Sequence, residues 1–178
     1  MRILFALPFL ALLSACAEPA QVGGMQTGDF ASQQVAAKPQ FANSTAVGVV
    51  IGGEETDPLW TPGVDAPSFQ EALTQSLEEN DLLASDPTAA RYRVEANVYE
   101  LRQPYLHMGM NHDATAIVQY RVYHADGSKD LWFSRDVHST GSAGFGDALL
   151  GVQQRQIAVE RAMASNIQQF IDYYIQQQ

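Results

Sequence analysis

The stretch ATAIVQYRVYHADGSKDLWFSRDVHSTG, residues 114–141, decides the fold class. From Asp113 to His124 the residues alternate, with Ala116, Val118, Tyr120 and Val122 set against Gln119 and Arg121. That period of two describes a strand with one buried and one wet face. Residues 125–130, ADGSKD, supply an Asp-Gly turn, and LWFSRDVHS (131–139) returns as the partner strand. The stretch is therefore an antiparallel hairpin that needs apolar cover on one face only.

The flanks supply more strands and the cover. Upstream, ARYRVEANVYEL (90–101) alternates Tyr92, Val94, Ala96 and Val98 against Arg93, Glu95 and Asn97, giving a third strand. TAVGVVIGG (45–53), β-branched and closed by glycines, is a fourth. Between these two, PSFQEALTQSLEENDLLA (67–84) places Phe69, Ala72, Leu73, Ser76 and Leu77 on one helical face. Ser68 and Glu71 have capping-box spacing, and Asn80 suits a left-handed helix terminator. Downstream, TGSAGFG leads to a long helix over 147–174, capped by Asp147, with Val159, Met163, Ile167, Phe170, Ile171 and Tyr174 as its buried stripe. Phe145 is expected to plug the core beneath that connection. The order β-α-β-β-β-α implies an α+β two-layer sandwich, a four-stranded sheet with two helices on one face.

The N-terminus carries the clearest functional signal. MRILFALPFLALLSAC (1–16) has Arg2, an apolar run from Ile3 to Leu13, and small residues before Cys16. This is a secretory signal peptide, too short to span a membrane as a helix. Leu13-Ser14-Ala15-Cys16 resembles the lipobox of bacterial lipoproteins, which implies cleavage before Cys16 and attachment of palmitate-type acyl chains there. Cys16 is the sole cysteine of the chain, so an internal disulfide is excluded. Two or three acyl chains would make a stable anchor. By resemblance to lipoprotein sorting rules, Ala17 directs the product to the outer membrane. The expected organisation is a signal peptide over 1–15, a lipidated flexible tether over 16–40, and one periplasmic domain over 41–178. The tether reading rests on the Ala, Gln, Gly, Pro and Ser of AEPAQVGGMQTGDFASQQVAAKPQ (17–40).

Charge narrows the partners. The chain has 10 basic and 20 acidic side chains, a net −10. Loss of residues 1–15 removes Arg2 alone and leaves −11. With no Lys/Arg cluster, nucleic acid and anionic headgroups are poor electrostatic partners.

The lipobox, tether, strand, helix, three-strand meander and final helix together resemble small outer-membrane lipoproteins of the YajG type. The residues that carry the likeness are FQEALTQSLEENDLL, YRVEANVYEL, the 114–141 hairpin and the Gly-Phe-Gly-Asp-Ala run before the last helix. The layout is also similar to LptE, the lipoprotein that plugs the lipopolysaccharide translocon, although no Gly-Phe or Gly-Trp follows the lipid cysteine here. The resemblance implies a fold and an envelope address, and no activity.

Chemical motifs are sparse. Cys16 is assigned to the lipid, and no serine has a G-x-S-x-G context. His124 and His138 sit on the hairpin and read as surface histidines that could face each other across it. Glu54-Glu55 and Glu78-Glu79 read as solvated acidic surface. GSAGFGDALLG (141–151) lacks the Lys-Ser/Thr of a phosphate loop and reads as a flexible connection. His107, Met108, Met110 and His112 offer imidazole and thioether ligands that suit Cu(I), but they occupy a hairpin loop and would be poorly preorganised. Trp60, Tyr105 and Trp132 could line an apolar docking patch. The expectation is a protein that is not an enzyme, with no cofactor and no metal. It would be held by outer-membrane lipid through Cys16 and act on an envelope protein by contact, with copper binding at 107–112 the alternative.

Overall fold

The computed structural model describes residues 16–58, 61–104, 111–127 and 130–177. Residues 1–15, expected to be a signal peptide, and Trp60, Tyr105, His107, Met108 and Met110 lie outside them. Two short helices, α1 (Val22–Met25) and α2 (Ser32–Ala36), precede β1 (Thr45–Glu54), β2 (Val64–Asp65), α3 (Ala66–Glu79), β3 (Tyr92–Arg102), β4 (Asn111–His124), β5 (Leu131–Gly144) and α4 (Gly151–Gln176). The sheet order is β2-β1-β3-β4-β5. β1 and β3 pair in parallel, joined by the α3 crossover, and the other pairs are antiparallel.

The mixed α+β architecture is as expected, with two corrections of count among the described residues. The sheet has five strands because Val64 and Asp65 pair with Glu54 and Gly53. Two residues are too few for periodicity to register. The helices number four because α1 and α2 lie in the stretch expected to be a tether.

Period-two alternation delivers the core face. Tyr92, Val94, Ala96 and Val98 of β3, and Ala114, Ala116, Val118, Tyr120 and Val122 of β4, are all buried beneath the helices. The expected stripes of α3 and α4 are buried without exception. Trp132 and Phe133, though consecutive, both pack on the core. A register shift opposite Val122 and Tyr123 makes Trp132 an extra residue, so the usual alternation lapses there. Trp132 stacks on Tyr92 with centroids 4.7 Å apart, in a cluster with Phe41 and Tyr174.

Several termini differ from the sequence reading. Asp65 caps α3 by accepting from Ser68 N at 2.8 Å, so the Ser68–Glu71 box is not used. Asp81, at φ 58°, takes the left-handed position after α3, and Asn80 does not. α4 starts at Gly151 rather than Asp147, and Leu150 at its N-cap supplies no side-chain cap.

Asn80 is fully buried because its amide does other work. Its Oδ1 accepts from Phe30 N and Ala31 N at 3.0 and 2.8 Å, and its Nδ2 donates to Ser76 O at 2.8 Å. Thr27 N donates to Ser76 Oγ, and Lys38 Nζ donates to Ile175 O. Met25, Ala31 and Val35 are wholly buried. Residues 17–40 are thus not a flexible tether. They lie on α3 and α4, helices that hardly touch each other, and α1 bridges the two.

Two buried phenols set a pH response. Tyr120 donates to Asn166 Oδ1 at 3.0 Å, and the Tyr174 hydroxyl lies 2.7 Å from Thr45 Oγ1. Burial pushes both phenols above their ordinary value near 10. In the unfolded chain they ionise near pH 10, so above that pH the folded state holds the extra protons. Their contribution is complete below about pH 10 and is lost as pH rises further. Chemical denaturation between pH 8 and 12 should show stability falling above about pH 10. Tyr120→Phe should reduce that slope while costing ~1 kcal/mol at pH 8, through loss of the Asn166 hydrogen bond.

Candidate functional site

Cys16 is exposed and stands at the start of the described chain. The residues immediately after it are docked at once. Ala17, itself buried, donates its N–H to Pro58 O at 2.8 Å. Ala20 N donates to Gly63 O at 3.0 Å, and Gln21 N to Glu160 Oε1 at 2.8 Å. Gln156 Nε2, one turn earlier, also donates to Glu160 Oε1, which holds the carboxylate that ties this segment to α4. Cys16 and Glu18 share a recess with Val152, Gln153 and Gln156 of α4.

The β5–α4 connection belongs to the same end of the molecule. Leu149 precedes Val152 by three residues, a chain distance of at most about 11 Å. Polar bonds brace the connection. Gly144 N donates to Asp147 Oδ2 at 3.0 Å, Arg161 Nη2 donates to Asp147 Oδ1, and Arg161 Nη1 donates to Ser142 O at 2.7 Å. Gln154 Nε2 donates to Ala148 O at 2.7 Å. The Arg161 hydrogen bond, helped by Gly144 N–H, holds the Asp147 carboxyl below the usual carboxylate range. This frame presents apolar side chains to solvent: Leu149 is 83% exposed, Phe145 55% and Leu150 41%. Phe145 therefore does not plug the core, and 141–151 is a braced corner rather than a flexible connection. Asp147, expected to cap α4, is its central strut.

The remaining candidates are scattered. His112, on β4, is half-buried, with Nε2 close to the start of α4 at Gly151. The other members of the copper alternative, His107, Met108 and Met110, lie outside the described residues. His138 is opposite Ile117 in the ladder, while His124 is opposite Tyr92 seven residues along β4, so the two histidines do not face each other. Glu54-Glu55 and Glu78-Glu79 are exposed acidic surface, as expected. Among the described residues no three His, Cys, Asp or Glu side chains gather in a way that could hold a metal ion.

The sheet face away from the helices is open. Val49, Ile51 and Tyr99 are exposed on it, within a frame of Glu95, Asn97, Gln119 and Arg121. No helix among the described residues is long and apolar enough to cross a membrane.

The class defined by these elements is a mixed α+β domain with helices on one face of a five-stranded sheet, and solved structures share it. A Xanthomonas campestris protein of the DUF330 family matches with a TM-score of 0.58 at 11% identity, over 89% of this chain and 93% of its own. A candidate lipoprotein from Caulobacter crescentus matches with a TM-score of 0.52 at 14% identity, over 79% of this chain and 92% of its own. A Chlamydia trachomatis protein described as hypothetical matches at 0.50 and 14% identity, over 75% and 96%. At such identities the likeness establishes the fold alone. No family model matches the chain, and no curated protein does.

Proposed function

We propose that this chain is a lipid-anchored envelope lipoprotein, acylated at Cys16, sorted to the outer membrane and acting by protein contact rather than catalysis. The observation that carries the reading is the exposed Cys16 at the head of the folded domain, in a sequence context that resembles a lipobox. The Caulobacter structure of the same fold, described as a candidate lipoprotein, supports it. The contact role draws on the open sheet face, where Val49, Ile51 and Tyr99 remain uncovered inside a polar frame.

The test uses cells fed an acyl probe and carrying a photo-crosslinker at Ile51. The expected product is a labelled protein in the outer-membrane fraction, with a discrete adduct to one envelope protein. Cys16→Ala should lose the label, leave the membrane fraction and lose the adduct. An unlabelled wild-type chain would overturn the anchor, and a labelled chain without an adduct would overturn the contact role.

A further inference from the structure

The geometry points to a membrane-seated tip: we propose that Phe145, Leu149 and Leu150 insert into the interface of the same leaflet that receives the acyl chains of Cys16. The inference rests on the acylation proposed above and adds the orientation of the domain.

Three observations carry it. The first is the lack of slack. Ala17 is already hydrogen-bonded to Pro58 O and buried, so the residue after the lipid cysteine is part of the folded body. Acyl chains on Cys16 would draw that end of the domain onto the bilayer surface, not let it swing at a distance. The second is position. Cys16 shares a recess with Val152, Gln153 and Gln156, and Leu149 and Leu150 of the apolar corner lie three and two residues before Val152 in the chain. The third is presentation. Asp147 and Arg161 fix the corner from Gly144 onward, Gln154 holds Ala148 O, and the large side chains between these struts point into solvent. An apolar corner that stays braced outward, beside a lipid attachment point, suits the headgroup–acyl boundary.

Charge selects the lipid. Glu18 lies in the Cys16 recess and Asp147 within the corner, Arg161 is already bonded to Asp147 and Ser142 O, and Arg155 follows one turn into α4. The mature chain is strongly acidic. Insertion is therefore driven by apolar contact, and zwitterionic phosphatidylethanolamine or phosphatidylcholine surfaces fit it better than anionic ones.

The experiment uses full-length acylated protein, its modification verified by intact mass, reconstituted into phosphatidylcholine vesicles. Leu149→Cys carries an environment-sensitive nitrobenzoxadiazole label, and Leu131→Cys, exposed at the start of β5 at the opposite end of that strand from Gly144, carries the same label as reference. The label at 149 should shift to the blue, brighten several-fold and be quenched by nitroxide lipid, while the label at 131 stays accessible to aqueous iodide. A verified acylated protein whose label at 149 stays in water overturns the tip and leaves the anchor standing. Absence of the acyl mass overturns both. A blue shift without vesicles that grows with protein concentration would assign the corner to a second copy of the chain and likewise overturn the tip.

Discussion

Gly141→Ala is expected to destabilise the domain by about 3 kcal/mol or more, although it adds a single methyl group. At position 141 β5 runs directly under α4. A Cβ there would stand 2.2 Å from Ala158 O, 2.3 Å from Ala162 N and 2.9 Å from Arg161 C. All three atoms are helix backbone, so no side chain can swing aside. Relief requires α4 to lift off the sheet over the turn where Ala158 and Ala162 are buried. Lifting it would also loosen Met163 and Ile167, the next large side chains of the buried stripe, because interiors are close-packed. Thermal denaturation should show the melting temperature lowered by about 6–12 °C for a chain of this size. Gly146→Ala is the matched control. Nothing lies within 4 Å of its added Cβ, so stability should stay within about 0.5 kcal/mol of wild type.

Gly141 also illustrates what can be read in advance. Long amphipathic elements announce themselves, because burial repeats at the period of the element. The α3 face and the α4 stripe are buried residue for residue. Features that depend on what lies opposite carry no such period. Gly141 looks like one of several loop glycines until α4 is placed above it. Trp132 and Phe133 share a face only because the ladder slips by a residue there. Residues 17–40 mislead for a compositional reason. Val22, Met25, Phe30 and Val35 are spaced irregularly among Gly, Ala and Gln, so an apolar tally is low and no single element's period emerges. Burial there is decided by a groove on α3 and α4, not by a local stripe.

The candidate site divides in the same way. Cys16 is legible because its context is linear. The corner of Phe145, Leu149 and Leu150 is not, because a sequence does not distinguish an apolar side chain that plugs a core from one braced outward. Asp147 reads as a helix cap in the sequence, and it is a strut in the fold because α4 begins four residues later.

A chain starting at residue 41, where the sequence pattern places the start of the domain, should fold poorly compared with one starting at residue 16 and carrying Cys16→Ser. Met25, on the α1 that bridges α3 and α4, and Val35 of α2 are fully buried in the core, and burial of each contributes roughly 1.5–3 kcal/mol. The ordering entropy of the segment opposes that gain, so the loss on truncation is smaller than the sum of the two. The larger consequence is exposure. Without α1 bridging them, α3 and α4 leave an open apolar groove, lined by faces that no longer have cover. The truncated chain should bind a hydrophobic dye strongly, self-associate and unfold at lower urea than the longer one. Asn80→Ala in the longer chain separates docking from folding. It leaves the N–H groups of Phe30 and Ala31 without their acceptor, at a cost of about 1–3 kcal/mol each where they stay buried. Limited proteolysis should then cut first between residues 17 and 40, while the body of the domain persists. Equal stability and equal protease resistance of all three chains would show that the segment contributes nothing. The domain would then hang from Cys16 on two dozen free residues, and its apolar corner would have no reason to meet the membrane.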